Sequence, residues 1–111
     1  MDKSKIYVLI EFIEYVPNSV VIKTIIHKNS GNVSVVAIDA GEALAEKISP
    51  FDIFIQIIEG KAEVVIDKKS SILNKGEGII IPAHTSSNVK ANERFKMIST
   101  IVKSGYEEIS L

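Results

Sequence analysis

The chain has 111 residues, contains no cysteine, and carries 13 Lys and Arg against 14 Asp and Glu, which gives a formal net charge of -1. A domain of this length buries enough surface to fold without cross-links, and the lack of cysteine excludes disulfides, thiolate metal sites and cysteine nucleophiles. The balanced charge provides no basic surface for a phosphate backbone, so we expect no nucleic-acid partner.

The first apolar run of the chain begins at residue 6 and is interrupted by Glu11 and Glu14. The run is therefore shorter than a signal-peptide core or a transmembrane helix. We expect the mature chain to begin at Met1 and to lie in the cytoplasm, with no membrane partner.

Apolar residues near the N-terminus fall at helical spacing, and they are Ile6, Leu9, Ile10, Ile13 and Val16. This spacing predicts a short helix over residues 6–15, ending before Pro17, with an apolar stripe that caps the main fold. Other apolar residues fill the opposite face, which weakens the amphipathic pattern. We assign residues 1–19 to a separate N-terminal segment.

The next part of the chain is rich in β-branched residues. Residues 20–27 and 33–38 have strand composition, and the turn-forming residues 29–32 lie between them, so the pattern predicts a β-hairpin over residues 20–39. Residues 41–47 consist of helix formers and would form a helix on propensity alone. They are short, however, and lie between Gly41 and Pro50.

Residues 51–60 form the most apolar stretch of the chain, and their composition predicts an interior strand. Ile53, Ile55 and Ile57 share one face of this strand, where they would line a core. The opposite face is also mostly apolar, as are parts of the first predicted strand. Because one β-barrel cannot cover both faces, we expect a homodimer. The residues expected to need this cover are Phe54, Ile58, Val20 and Ile22.

The remaining elements are short strands separated by turn signals at near-regular spacing. We predict strands over residues 61–66, 70–73, 79–81, 86–91 and 94–102, and Pro82 ends one of them because it cannot donate to a ladder. The polar residues 104–111 form a C-terminal tail. Many short strands with no long helix predict an all-β barrel or sandwich.

Two segments of the chain carry a recognisable order of residues. The first runs from Gly41 through Lys47-Ile-Ser49 to Glu59-Gly60, and the second runs from Gly76 through Pro82-Ala-His84 to Ser87. This order resembles the two motifs of the cupin superfamily, especially its small single-domain members. The resemblance implies a double-stranded β-helix, or jelly-roll, barrel over residues 20–103, and it implies that residues 41–47 form a strand.

The resemblance also implies where a metal would bind. Cupins hold a divalent metal through three imidazoles and a carboxylate, and the matching positions here are Lys47, Ser49, Ile53 and Ser87. A protonated lysine repels a cation, neutral serine hydroxyls coordinate weakly, and isoleucine has no donor atom. The sequence therefore indicates a degenerate metal site and no cofactor, with a divalent metal as the alternative.

His84 is the one imidazole near this region, and it occupies a position where the motif has glycine. It is the weak metal candidate of the chain. A single imidazole does not hold a metal in competition with water, because catalytic metal sites use three or more protein ligands. We interpret His84 as an exposed loop residue.

We assign a ligand pocket to Lys47, Ser49, Ser87 and Met97. The Lys47 ammonium would attract a small anionic ligand, the two serines would hydrogen-bond it, and Met97 lies on the inner face of the last strand. Alternatively, Lys47 extends to solvent or pairs with Glu46, and the serines and Met97 are packing residues. A Schiff base at Lys47 is a further alternative. No residue is assigned a catalytic role.

Three functions remain open at this stage. The first, which we favour, is a non-enzymatic, metal-free cupin that binds a small molecule or acts through dimer contacts. The second is a metal-dependent isomerase or oxygenase with non-standard ligands. The third is a structural or interaction module whose interior is filled by side chains.

Overall fold

A computed structural model describes residues 1–103, so the predicted tail over residues 104–111 lies outside the described part. The described elements are α1 (Leu9–Phe12), β1 (Val20–Lys28), β2 (Gly31–Ile38), β3 (Ala43–Ile48), β4 (Asp52–Glu59), β5 (Lys61–Ile66), β6 (Lys69–Asn74), β7 (Gly78–Ile81), β8 (Ser86–Lys90) and β9 (Phe95–Val102). Within residues 1–103, no helix has the length and apolar character needed to cross a membrane.

The strands form two antiparallel sheets. The five-stranded sheet has the order β1-β2-β9-β4-β7, and the four-stranded sheet has the order β3-β8-β5-β6. The all-β jelly-roll prediction is confirmed. However, no strand pairing joins one sheet to the other within residues 1–103, so the structure is an open two-sheet jelly roll and not a closed barrel.

The apolar stretch over residues 51–60 corresponds to β4, which lies inside the five-stranded sheet between β9 and β7. Ile53, Ile55 and Ile57 are buried, so one face of β4 lines the core as predicted. The main core lies between the two sheets. Its members are Val36, Ile38, Ile53, Ile55, Ile57, Ala62, Val64, Leu73, Ile81, Val89, Ala91, Phe95 and Met97.

Gly60 forms the corner at which the chain passes from β4 in one sheet to β5 in the other. Its φ angle is +74°, a left-handed conformation that glycine adopts without a Cβ clash. A Cβ atom built on Gly60 would lie 2.5 Å from the backbone oxygen of Arg94. The motif glycine therefore allows a turn and a close approach of two backbone segments.

The N-terminal segment differs from its prediction. The helix covers only Leu9–Phe12, and its N-cap residue Val8 offers no capping side chain. The segment does not close the end of the core. Instead, Ile13 is fully buried on the outer face of the five-stranded sheet against Val35 and Ala37. The same cluster includes Leu9, Phe12 and Tyr15, whereas Val16 is 46% exposed. The segment thus contacts the sheet without a long helix.

A polar cluster fixes this segment to the sheet. The Tyr15 hydroxyl donates to Glu59 Oε2 at 2.7 Å, and the Lys96 ammonium lies 3.6 Å from the same oxygen. Lys96 is buried and also donates to the backbone oxygen of Ile10. The Lys96 ammonium and the Arg94 guanidinium lie 4.9 Å and 4.6 Å from the centre of the Tyr15 ring, within cation–π distance.

These contacts shift two pKa values in opposite directions. The hydrogen bond from Tyr15, followed by the charge and hydrogen bond of Lys96, lowers the pKa of Glu59 below its usual value of 4.5. Burial and the neighbouring Glu59 carboxylate raise the pKa of Tyr15 above its ordinary value. Ionised Glu59 and neutral Tyr15 are therefore the forms that hold the segment in place.

Acid should weaken this anchor. Because the folded-state pKa of Glu59 is lower than the unfolded value, its contribution to stability is present above pH 4.5 and is lost as the pH falls through the folded-state pKa. We expect Glu59→Gln to reduce the dependence of the urea midpoint on pH between pH 6 and 3. A variant with the same pH dependence as the unmodified protein would contradict this role.

The structure corrects part of the reasoning behind the predicted dimer, which rested on four residues expected to need cover from a second subunit. Ile58 is covered by the protein's own N-terminal segment, and Val20 packs into the main core. Ile22 pairs with Val36 and faces the interior, although it is exposed at the open edge. Of the four residues, only Phe54 lies on the outer face without cover from residues 1–103, with 41% of its surface exposed.

Candidate functional site

A cavity lies between the two sheets. Its walls are Leu44, Ala45, Lys47, Ile53, Ile55, Ile81, Ser87, Asn88, Val89, Met97 and Ser99. The empty volume is about 300 Å³ including the mouth, and about 20 Å³ of this can be occupied by the centres of water molecules. The cavity therefore has room for only one or two water-sized groups, since one water needs about 10–15 Å³ measured in this way.

Lys47 and Ser87 reach this cavity from neighbouring strands. They are directly paired in the β3–β8 ladder, and the register shifts between Leu44 and Lys47. Leu44 pairs with Val89 and lies beside the core, so the irregular residues between allow both Leu44 and Lys47 to line the same cavity. Met97 lines it from β9 in the opposite sheet.

Ser49, the fourth residue assigned to the pocket, lies outside the cavity walls. Strand β3 ends at Ile48, and Ser49 enters the following turn, where its Oγ accepts a hydrogen bond from the Phe51 amide at 3.1 Å. The cavity assignment of Ser49 is therefore corrected: this hydroxyl stabilises a turn.

His84 is exposed and also lies outside the cavity walls. Its φ angle is +62°, and its amide donates to the backbone oxygen of Ser49 at 2.7 Å. The left-handed backbone explains why the family motif has glycine at this position. His84 adopts this left-handed conformation in a turn. Its position in the motif therefore gives no reason for its imidazole to enter the cavity.

The structure adds two polar residues that we did not assign, Ser99 and Asn88. Ser99 shares the inner face of β9 with Met97, so the alternation of that strand could have identified it. Within residues 1–103, every polar side-chain atom that is sealed from solvent has a hydrogen-bond partner. The Ser87 and Ser99 hydroxyls have no partner in this part of the chain, so they are not sealed from solvent. Both hydroxyls are therefore open to the cavity.

The charge of the cavity wall is positive. Lys47 is the one charged residue among the described lining residues, and none of them is acidic. The ion pair found within residues 1–103 joins Lys96 to Glu59, so it does not involve Lys47. Lys47 is exposed and lines the cavity, so its ammonium can attract an anion.

The residues present do not fit the divalent metal of the cupin family. The four positions hold an ammonium, two hydroxyls and an alkyl chain, and one of the hydroxyls, that of Ser49, is engaged in a turn. Within residues 1–103, no three His, Cys, Asp or Glu side chains are grouped in a way that could hold a metal ion. This donor set is suited to an anion or a neutral polar group.

The chain matches no family model and no curated protein. Solved structures do resemble it. A conserved protein of unknown function from Streptococcus pyogenes has a TM-score of 0.88 and 24% identity, with 93% of this chain and 90% of that chain covered. A cupin superfamily protein from Desulfitobacterium hafniense has a TM-score of 0.86 and 22% identity, with 92% and 94% covered.

A third similar structure is a cupin 2 conserved barrel domain protein from Leptotrichia buccalis. Its TM-score is 0.82 and its identity is 28%, with 85% of this chain and 46% of that chain covered. Together with the two-sheet topology, these structures make the chain a small domain of the cupin fold. This confirms the fold that the glycine and proline motifs implied.

Proposed function

We propose that this protein is a cytoplasmic, metal-free cupin domain that binds a small anionic molecule in its interior. The observation that carries the proposal is the pairing of Lys47 with Ser87 across β3 and β8, at a cavity whose opposite wall holds Met97 and Ser99. An ammonium, two open hydroxyls and apolar walls provide charge, hydrogen-bond donors and contact area for such a ligand. Nothing in this set indicates covalent chemistry, so we infer binding without catalysis.

Ligand-induced stabilisation tests this proposal. A thermal-shift screen with small carboxylates and phosphates should find a compound that raises the melting temperature, because a ligand at one hundred times its Kd adds about 2.7 kcal/mol to the free energy of unfolding. We expect Lys47→Met to remove the shift. Lys90→Met is the matched control, since Lys90 is an exposed lysine on β8 that does not line the cavity.

Two other functions give different results in the same experiments. If the interior serves only as packing, no compound should shift the melting temperature of the unmodified protein. If the protein is a metal-dependent enzyme with unusual ligands, elemental analysis of protein purified without a chelator or an affinity tag should find a stoichiometric transition metal. Either result would contradict the proposed function.

We also propose that the protein forms a homodimer through the outer face of its five-stranded sheet. One row of residues crosses all five strands on this face, pairing Ile26 with Val33, Val33 with Thr100, Thr100 with Phe54, and Phe54 with Ile80. Ile26, Phe54 and Ile80 are exposed. The row is uncharged, and its apolar residues lie on both sides of Thr100.

This arrangement favours a second copy of the chain over a different protein. A two-fold axis that runs parallel to β9 in the plane between two copies places Thr100 of one copy against Thr100 of the other. It also places the apolar pair on one side of Thr100 against the apolar pair from the other side of Thr100 in the second copy. The neighbouring row carries Lys28 on one side of β9 and Asp52 on the other. The same axis brings these opposite charges of the two copies toward each other.

Light scattering coupled to size-exclusion chromatography tests the dimer. The unmodified protein should elute with twice the mass of the 12.2 kDa chain at micromolar concentration, and Phe54→Arg should elute as a monomer. Ile72→Arg is the control, because Ile72 is an exposed residue on β6 of the other sheet. A stable monomer of the unmodified protein would contradict the dimer.

A further inference from the structure

We propose that the preferred ligand of the cavity is a short-chain monocarboxylate of about two or three carbon atoms, a limit set by the few water-sized positions in the cavity. This inference rests on the proposed anion-binding function and makes it specific. It follows from the polar groups and the apolar side chains that line the cavity, and from the space between them.

The polar groups of the cavity can bind one singly charged head group. The Lys47 ammonium supplies one positive charge, and the hydroxyls of Ser87 and Ser99 supply two hydrogen-bond donors. Two carboxylate oxygens accept from three such groups without leaving a charge unpaired. A phosphate dianion would bring a second negative charge and more oxygens than these groups can satisfy, and burying such groups without partners is costly.

The wall formed by the five-stranded sheet is apolar apart from Ser99. Ile53, Ile55 and Ile81 line it from β4 and β7, and Met97 lines it from β9. Ile53 occupies the position where the family motif has its carboxylate ligand, so an alkyl group now stands where a metal-binding oxygen would be. A ligand with an alkyl tail buries apolar surface here, which an inorganic anion cannot do.

The available space limits the length of that tail. The roughly 20 Å³ open to water centres corresponds to one or two water-sized groups. Because this is the space of the whole cavity, only a tail as short as a methyl or ethyl group fits beside the head group, and a longer tail would displace the packed side chains around it. Overpacking a well-packed interior is unfavourable, so affinity should fall as the chain lengthens.

Isothermal titration calorimetry at constant ionic strength tests the inference with formate, acetate, propionate, butyrate, hexanoate and octanoate. Inorganic phosphate, sulfate and the neutral amide propionamide complete the series. We expect the tightest binding for acetate or propionate, and a loss of about tenfold or more for a methylene that the cavity cannot accommodate. Propionamide should bind more weakly than propionate, because it lacks the charge that pairs with Lys47.

Three variants locate the two ends of the ligand. Lys47→Met should abolish binding of the carboxylates, while Lys90→Met should leave it unchanged. Ile53→Val enlarges the apolar part of the cavity by one methylene and costs little stability. It should therefore shift the preferred chain to a longer carboxylate, and an unchanged preference would overturn the placement of the tail.

The remaining outcomes separate this inference from the proposed function. If phosphate, sulfate or octanoate binds best and depends on Lys47, the short-chain preference is wrong while anion binding in the cavity stands. If none of the anions binds to the unmodified protein, both proposals are wrong.

Discussion

Gly60→Ala is expected to lower the free energy of unfolding by about 2–5 kcal/mol, the sum of about 1–2 kcal/mol for a left-handed alanine and about 1–3 kcal/mol for forced overpacking. The added Cβ would meet the backbone oxygen of Arg94 at 2.5 Å, and backbone cannot rotate away as a flexible side chain can. Because β4 and β5 belong to different sheets, a shift at Gly60 also disturbs the packing of one sheet on the other.

Gly76→Ala separates the cost of the left-handed backbone from the cost of the close approach to Arg94. Gly76 has a similar φ angle of +88°, but a Cβ at this position meets nothing within 4 Å. It should therefore lose only about 1–2 kcal/mol, which is the cost of the backbone conformation. Urea denaturation of both variants measures the difference. Equal losses would show that the close approach at Gly60 does not contribute.

Much of the strand pattern could be predicted from the sequence, because side chains in a half-buried strand alternate with a period of two. The predicted hairpin over residues 20–39 corresponds to β1 and β2, and residues 51–60 correspond to β4. Strand order could not be predicted in this way. The pairing of β9 between β2 and β4 depends on contacts between distant parts of the chain, which local alternation does not encode.

Strand β3 shows where propensity fails. Its residues favour a helix in isolation, but they form a strand because Leu44 packs beside the core and the backbone pairs with β8. Only the resemblance to the family motif predicted this outcome. Tertiary contacts outweigh helix propensities, which amount to only about 0–0.7 kcal/mol for most residues.

Tertiary structure also decides where the residues assigned to the pocket lie. Motif spacing placed Lys47 and Ser87 at equivalent positions, and the structure pairs them. The same spacing failed for Ser49, because β3 ends one residue earlier and the chain turns. Asn88 lines the cavity beside an irregular part of the β3–β8 ladder, and such an irregularity cannot be located from one sequence.

The N-terminal segment was the least predictable part. Its apolar spacing suits a helix, yet its main contact is Ile13 on the outer face of a sheet formed by later residues. The burial of Lys96 could not be predicted from the sequence either, since a lysine on a strand is normally exposed. Its partners are Glu59 and the backbone of Ile10, which lie far away in the chain.

Ile13→Ala is the second change for which we expect a large effect. Ile13 is 0% exposed and packs against Val35 and Ala37, and removing buried aliphatic groups of this size costs about 2–5 kcal/mol when the surroundings do not collapse. If the segment detaches while the two-sheet core remains folded, the loss cannot exceed the free energy that holds the segment on the sheet. Urea denaturation measures the global loss, and hydrogen exchange of the Val35 amide and its neighbours measures local opening.

The same pair of measurements decides whether residues 1–19 form a separate segment or an integral part of the domain. If Ile13→Ala lowers the urea midpoint, the segment unfolds together with the sheets. If the midpoint is unchanged and only the amides near Val35 exchange faster, the segment detaches as a separate unit. Ile6→Ala is the matched control, since Ile6 lies in the same segment and is 98% exposed. A loss as large for Ile6→Ala as for Ile13→Ala would contradict a stabilising role for the buried contact.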